Sequence, residues 1–135
     1  MALINWDASL SVNVKEIDGQ HQKLIKIIND LHEAMLQKKA KEILGKIIDE
    51  LIAYTTTHFL TEETYFEKFE YSDRLNHKRR HTDFVKKVGE FNKEFAAGKL
   101  MLSMDIMTFL KEWLVKHIQG EDKKYEPFFN SKGLV

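Results

Sequence analysis

The sequence predicts an all-α protein: an up-down-up-down antiparallel four-helix bundle with an N-terminal extended arm. Apolar residues recur at intervals of three and four through four long segments, which is the pattern of amphipathic helices. The chain has one proline and six glycines in 135 residues, so few helix-breaking residues interrupt these segments. The short connections between the segments favour antiparallel neighbours. The length fits one domain, which we place over residues 1–135.

The first two elements are the arm and the first helix. The arm is predicted over residues 1–17, and residues 18–135 are predicted to form the bundle and a C-terminal tail. The arm contains more apolar side chains than a disordered tail needs, so we expect it to pack along the bundle. Asp18 is the predicted N-cap of the first helix, which should end in the Lys-rich stretch 37–41.

Capping residues and one glycine delimit the other three helices. The second helix is predicted over about residues 42–69. The third runs from a cap at Ser72 or Asp73 to Gly98, and the fourth begins after a cap at Ser103. The fourth helix should end just past the last histidine of the chain.

Composition excludes several classes of function. Lys+Arg and Asp+Glu are equal at 21 each, so no excess of positive charge favours nucleic acid. Cysteine is absent, which excludes disulfides, thiolate metal sites and thiol catalysis. Neither a signal peptide nor a run of ~20 apolar residues is present, so we expect a cytoplasmic protein without a membrane partner. A metal would have to be bound through nitrogen and oxygen.

Five of the six histidines fall at predicted helix ends and continue the apolar stripes. His58 and Glu62 are four residues apart, as are His77 and His81, so each pair projects from one helix face with its members about 6 Å apart. Such spacing suits two ligands of one metal site. One pair alone is a weak signal, because a single inward histidine is more often a hydrogen-bonded core residue than a ligand.

Topology strengthens the signal, because an antiparallel bundle brings these positions to one end. The residues concerned are His21 at the start of the first helix, His58 and Glu62 late in the second, His77 and His81 early in the third, His117 at the end of the fourth, and Asp122 just beyond it. A carboxylate buried there is costly unless it is paired or bound to metal. His32 lies about 16 Å further along the first helix than His21, so it cannot join the site.

The spacing between His117 and Asp122 predicts a local distortion. Residues five apart in a regular α-helix point about 140° apart around its axis, so the two side chains cannot share a face. We therefore expect a π-type turn or a break near Gly120 that returns Asp122 to the site.

The chain resembles the hemerythrins, most closely the single-domain bacteriohemerythrins. The resemblance rests on WDASLSVNVKEIDGQHQKL, HFLTEE, HKRRH and FLKEWLVKHIQGED, in that order, and it extends over essentially all 135 residues. Myohemerythrin is an up-down-up-down bundle, so the resemblance implies the same topology. Asn13 stands where the family pattern has a glycine, which concerns only a local turn.

The resemblance also implies a function, namely reversible dioxygen binding at a non-haem di-iron centre with an oxo or hydroxo bridge. It implies that His77, His81 and His117 ligate one iron, that His21 and His58 ligate the other, and that Glu62 and Asp122 bridge the two. It further implies an apolar oxygen pocket formed by Leu24, Phe59, Trp113, Leu114 and Ile118. The histidine-rich, carboxylate-poor ligand set disfavours O–O cleavage, so we expect an oxygen carrier and not an enzyme.

Three alternative interpretations follow from the same residues. The first is a di-iron enzyme, such as a peroxidase, a ferroxidase or a nitric-oxide-handling protein. The second is an iron store or a site for zinc, cobalt or manganese. The third is a metal-free helical adaptor, which would leave Glu62 and Asp122 without partners. We predict a monomer whose oxygen is used for storage, delivery or sensing, and delivery would require an oxygen-consuming partner protein.

Overall fold

The computed structural model describes residues 2–135 and is helical, with no strand in that range. The predicted four-helix bundle is confirmed. Its four long helices are α1 (Lys15–Leu36), α2 (Lys41–Lys68), α3 (Arg74–Ala96) and α4 (Met104–His117). A π-helical segment, Ile118–Asp122, follows α4 directly and leads into a short helix α5 (Lys123–Ser131).

Helix α1 begins earlier than predicted. Its N-cap position is Val14, in extended conformation, so the prediction of Asp18 as the N-cap is wrong. Asp18 lies in the first turn, and its carboxylate accepts hydrogen bonds from the Ser11 hydroxyl at 2.6 Å and the Val12 backbone N–H at 2.8 Å. The carboxylate therefore fastens the preceding segment to the helix, a bond between two elements that a local capping rule does not include.

The segment before α1 packs against the bundle through both apolar and polar contacts. Ile4, Leu10, Val12 and Val14 are buried. The Asn29 side chain accepts a bond from the Ile4 N–H and donates one to the Ile4 carbonyl, both at 2.9 Å. Asn13, at φ 53°, adopts the left-handed conformation that glycine and asparagine tolerate best.

The remaining helix ends agree closely with the sequence signals. The Ser103 hydroxyl accepts a bond from the Ile106 N–H, as an N-cap does. Asp73 occupies the N-cap position of α3 without a side-chain bond to the helix. Gly98, at φ 77°, follows α3 in the left-handed conformation that ends many helices. The π-helical segment confirms the distortion predicted beyond His117.

Buried apolar side chains from all four long helices and from the N-terminal segment form one continuous core. None of the helices within residues 2–135 has the length and apolar character needed to cross a membrane.

Candidate metal centre

Seven side chains from five elements meet at one end of the bundle, and all of them are buried. They are His21 on α1, His58 and Glu62 on α2, His77 and His81 on α3, His117 at the end of α4, and Asp122 at the end of the π-helical segment. These are the seven residues singled out from the sequence. His32 is half-buried and belongs to neither group of potential ligands described below.

Asp122 lies between the histidines of three helices. Its Oδ1 atom is 2.9 Å from His77 Nε2 and 3.1 Å from His117 Nε2, and its Oδ2 atom is 3.1 Å from His21 Nε2. The π-helical turn makes this possible, because its wider i, i+5 repeat brings Asp122 back beneath His117.

Glu62 contacts the two remaining histidines of the cluster. Its Oε1 atom lies 3.3 Å from both His58 Nε2 and His81 Nε2. Its Oε2 atom accepts a short hydrogen bond from the hydroxyl group of Tyr125, which is fully buried on α5. The two carboxylates thus have different partners, one having imidazoles alone and the other imidazoles and a phenol.

The potential ligand atoms separate into two groups that share both carboxylates. The three-histidine group contains Glu62, His77, His81, His117 and Asp122, and the two-histidine group contains His21, His58, Glu62 and Asp122. Within each group one ligand atom from every residue lies within 4.8 Å of the others. Two adjacent groups that share two carboxylates could hold two neighbouring metal ions.

The unpaired polar atoms fit a metal. Among the described residues, His21 Nε2, Glu62 Oε1 and both carboxylate oxygens of Asp122 have no hydrogen-bond partner, although they are buried and close to other polar atoms. The Nε2 atom of His117 is also only 3.1 Å and 3.2 Å from those of His77 and His81. Lone pairs that converge without aligned donors suit a cation, and buried polar atoms are otherwise costly. Imidazole nitrogen and carboxylate oxygen are suitable ligands for iron and for zinc.

Both carboxylates are ionised in this environment. Burial disfavours the charged form of Asp122, but the imidazoles of His117, His21 and His77 outweigh it and hold its pKa well below the usual range. Burial and the Asp122 charge likewise raise the pKa of Glu62, but His58 and His81 lower it to about 2 overall. The centre therefore offers two negative charges to a bound cation.

The imidazoles differ from one another. Burial lowers the pKa of His58 to about 4, because desolvation disfavours its charged form. Burial acts in the same direction on His81, but the nearby carboxylates of Glu62 and Glu63 prevail and raise its pKa to about 9. His21 also has a raised pKa, since the adjacent Asp122 outweighs its complete burial. A proton must therefore leave His81 before it can ligate a metal near neutral pH.

Two of the apolar residues named from the sequence, Phe59 and Trp113, pack against histidines of the cluster. Leu24, Phe59, Leu114 and Ile118 are buried, and Trp113 is half-buried. The Phe59 ring stacks on His81 with centroids 3.7 Å apart, and the Trp113 ring stacks on His117 at 4.4 Å. His81 and His117 are therefore packed against aromatic rings, which restrict their orientation and exclude water.

Three polar residues at the site were missed from the sequence. Tyr125 donates to Glu62, Glu63 contacts His81 Nδ1 at 2.8 Å, and Gln20 contacts His58 Nδ1 at 2.6 Å. Glu63 and Gln20 are each adjacent in sequence to a predicted ligand, on a partly exposed flank where a polar residue needs no special role. Tyr125 lies one turn beyond Asp122, a signal that becomes usable only once α5 is known.

The chain matches the family model described as the hemerythrin HHE cation binding domain over residues 12–129. It belongs to the hemerythrin family. It is 38% identical to a bacteriohemerythrin of Methylococcus capsulatus over 94% of this chain and 97% of that protein. It is also 38% identical to a bacteriohemerythrin of Stenotrophomonas maltophilia, over 93% of this chain and 80% of that protein. A crystal structure of wild-type hemerythrin superposes with a TM-score of 0.89 at 35% identity, over 93% of this chain and 97% of the other.

Proposed function

We propose that this protein binds dioxygen reversibly at a di-iron centre, with His21, His58, Glu62, His77, His81, His117 and Asp122 as the ligands. The observation that supports this proposal most directly is the pair of ligand groups that share Glu62 and Asp122. Two irons bound there would supply the two electrons that reversible binding of dioxygen requires.

The two groups are unequal, and the inequality supports a binding function. The three-histidine group offers five protein residues, whereas the two-histidine group offers four. The two-histidine side therefore retains one more coordination position for an external ligand such as dioxygen. Leu24, Phe59, Trp113, Leu114 and Ile118 are the proposed apolar pocket around that position, where their role is to exclude water.

The charge of the ligand set favours a carrier over an enzyme that cleaves dioxygen. The residues supply five imidazoles and two carboxylates, whereas ferritin-like di-iron proteins use four carboxylates with two histidines. Fewer negative ligands stabilise highly oxidised metal less well, so release of intact dioxygen competes better with its cleavage.

A visible spectrum of anaerobically reduced, iron-loaded protein tests the proposal. The spectrum is recorded before air, after air and after removal of oxygen, and we expect an absorption band that appears and disappears through several cycles. A band that persists after deoxygenation, or peroxide turnover far above that of free iron, would refute a carrier function.

Ligand assignments are tested separately by iron content. His77→Ala and His117→Ala should each lose iron, while His32→Ala, a histidine outside both groups, should keep two irons per chain as in the unsubstituted protein. Equal iron content in all three variants would refute the assignments.

A further inference from the structure

The two ligand groups differ in the polar side chains that contact the Nδ1 atoms of their histidines. Each group contains one imidazole whose Nδ1 atom contacts a polar side chain: His81 with Glu63 at 2.8 Å, and His58 with Gln20 at 2.6 Å. The Nδ1 atoms of His21 and His77 have no hydrogen-bond partner among residues 2–135. One anchored imidazole therefore serves each group, and the two anchors differ in charge.

A chain of hydrogen bonds fixes the orientation of Gln20. The Thr61 hydroxyl donates to the Thr57 carbonyl at 3.2 Å, so it is available to accept the bond from Gln20 Nε2 at 3.1 Å. The amide nitrogen of Gln20 is thus directed at Thr61, and its oxygen is directed at His58. An amide oxygen only accepts hydrogen bonds, so the proton of neutral His58 is on Nδ1 and its Nε2 lone pair faces the cluster.

Glu63 has the same effect on His81 with the addition of a negative charge. Its carboxylate accepts the Nδ1–H of His81, which leaves Nε2 as the ligand atom. A carboxylate behind an imidazole makes the ring a stronger electron donor than an amide does, and it also strengthens the hydrogen bond. The side chain of Glu63 is 29% exposed, so its charge is only partly screened by solvent.

We propose that Glu63 and Gln20 are positioning residues that fix the tautomers of His81 and His58, and that the charge of Glu63 makes the three-histidine group bind metal more tightly. This inference rests on the proposed dinuclear metal centre. Its distinctive consequence is selectivity: removal of Glu63 should weaken one of two metal positions and leave the other nearly unchanged.

The test uses Co²⁺ as a coloured probe in the full-length protein. Metal-free protein is loaded with two equivalents, and release to excess chelator is followed at the d–d absorption bands. We expect two kinetic phases. Glu63→Leu should accelerate the phase of the three-histidine group about 10- to 100-fold. Glu63→Gln keeps an acceptor oxygen without the charge, so its effect should be intermediate, and Gln20→Leu should accelerate the other phase.

Glu50→Gln is the matched control, because Glu50 is an exposed residue of the same helix and contacts none of the five clustered histidines. A second measurement, the ¹⁵N spectrum of the histidines in Zn²⁺-loaded protein, reports the tautomer directly. A slowly exchanging Nδ1–H signal of His81 should be present in the unsubstituted protein and lost in Glu63→Leu.

The outcomes separate this inference from the proposed function. If the unsubstituted protein binds two Co²⁺ ions but Glu63→Leu releases both ions at the same rates as Glu50→Gln, the role of Glu63 is refuted and the dinuclear centre stands. Equal acceleration of both phases would also refute it, since a general loss of structure acts on both sites. If the unsubstituted protein binds fewer than two ions, the dinuclear centre itself is refuted.

Discussion

Tyr125→Phe removes a single hydroxyl group from the centre and leaves the packing of the ring in place. Tyr125 is fully buried, and its hydroxyl is the hydrogen-bond donor to Glu62 Oε2. Burial and the neighbouring Asp122 and Glu62 charges hold the pKa of Tyr125 well above its usual range, so the phenol stays protonated and remains a donor. The substitution therefore leaves an ionised, buried carboxylate oxygen without its donor.

The expected loss follows from the charge of the acceptor. A hydrogen bond to a charged group contributes about 1.5–3 kcal/mol, and this is the expected decrease in the free energy of unfolding of metal-free Tyr125→Phe at neutral pH. In a domain of this size 1 kcal/mol corresponds to about 4 °C in Tm, so Tm should fall by about 6–12 °C. Thermal unfolding of metal-free protein, followed by circular dichroism, measures this difference.

Tyr71→Phe is the control for the loss of a hydroxyl group. Tyr71 is also buried and packs against Tyr125 with ring centroids 6.4 Å apart, but within residues 2–135 its hydroxyl group makes no hydrogen bond. The Tm of Tyr71→Phe should differ from that of the unsubstituted protein by less than about 2 °C. If Tyr125→Phe is as stable as Tyr71→Phe, the bond to Glu62 contributes no net stability and the reasoning is wrong.

Three further predictions concern protons, the pocket and the π-helical turn. The pKa of His81 is raised from 6.5 to about 9, so protonated His81 stabilises the metal-free protein fully below pH 6.5. Chemical unfolding of metal-free protein should show a loss of about 3 kcal/mol in the free energy of unfolding between pH 6.5 and 10. The Zn²⁺-loaded protein should not show this loss. Leu114→Ala should keep its iron, but the spectrum of its oxygenated form should decay by autoxidation several times faster than that of Leu44→Ala, which shortens a side chain at the opposite end of the bundle. Equal decay rates in the two variants would refute a gating role for Leu114. Insertion of an alanine after Gly120 should rotate Asp122 and Tyr125 by about 100° and lower the Zn²⁺ content below two per chain. Gly120→Ala, whose added Cβ meets no atom within 4 Å, should bind two.

The end of the bundle at which the histidines meet was predictable because it depends on chain direction alone. His21 early in α1 and His117 at the end of α4 are 96 positions apart, yet short connections require adjacent helices to run in opposite directions. The distortion beyond His117 was predictable for a similar reason, since helix periodicity excludes a shared face for residues five apart. Both inferences need geometry and no knowledge of side-chain packing.

Hydrogen bonds between elements were not predictable in this way. Asp18 is a residue type that commonly forms an N-cap, but its carboxylate accepts hydrogen bonds from Ser11 and Val12 of the preceding segment, and α1 starts at Lys15. Helix α5 continues through Pro127 and was expected only as a tail. Pro127 is the fifth residue of α5 and lacks the N–H that would bond to the Lys123 carbonyl, so its residue type ordinarily argues against a helix at this position.

The π-helical turn links the bundle to the chemistry of the site. A regular helix through residues 118–122 would direct Asp122 away from His117 and would turn the following helix by the same angle. The turn therefore positions two residues at once: Asp122, which contacts His21, His77 and His117, and Tyr125, which donates a hydrogen bond to Glu62. Both proposed bridging carboxylates depend on this one change of register, one as a member of the turn and the other through Tyr125. A π-helical turn costs hydrogen-bond geometry, and the buried charges that it pairs provide the physical reason for its position beside the centre.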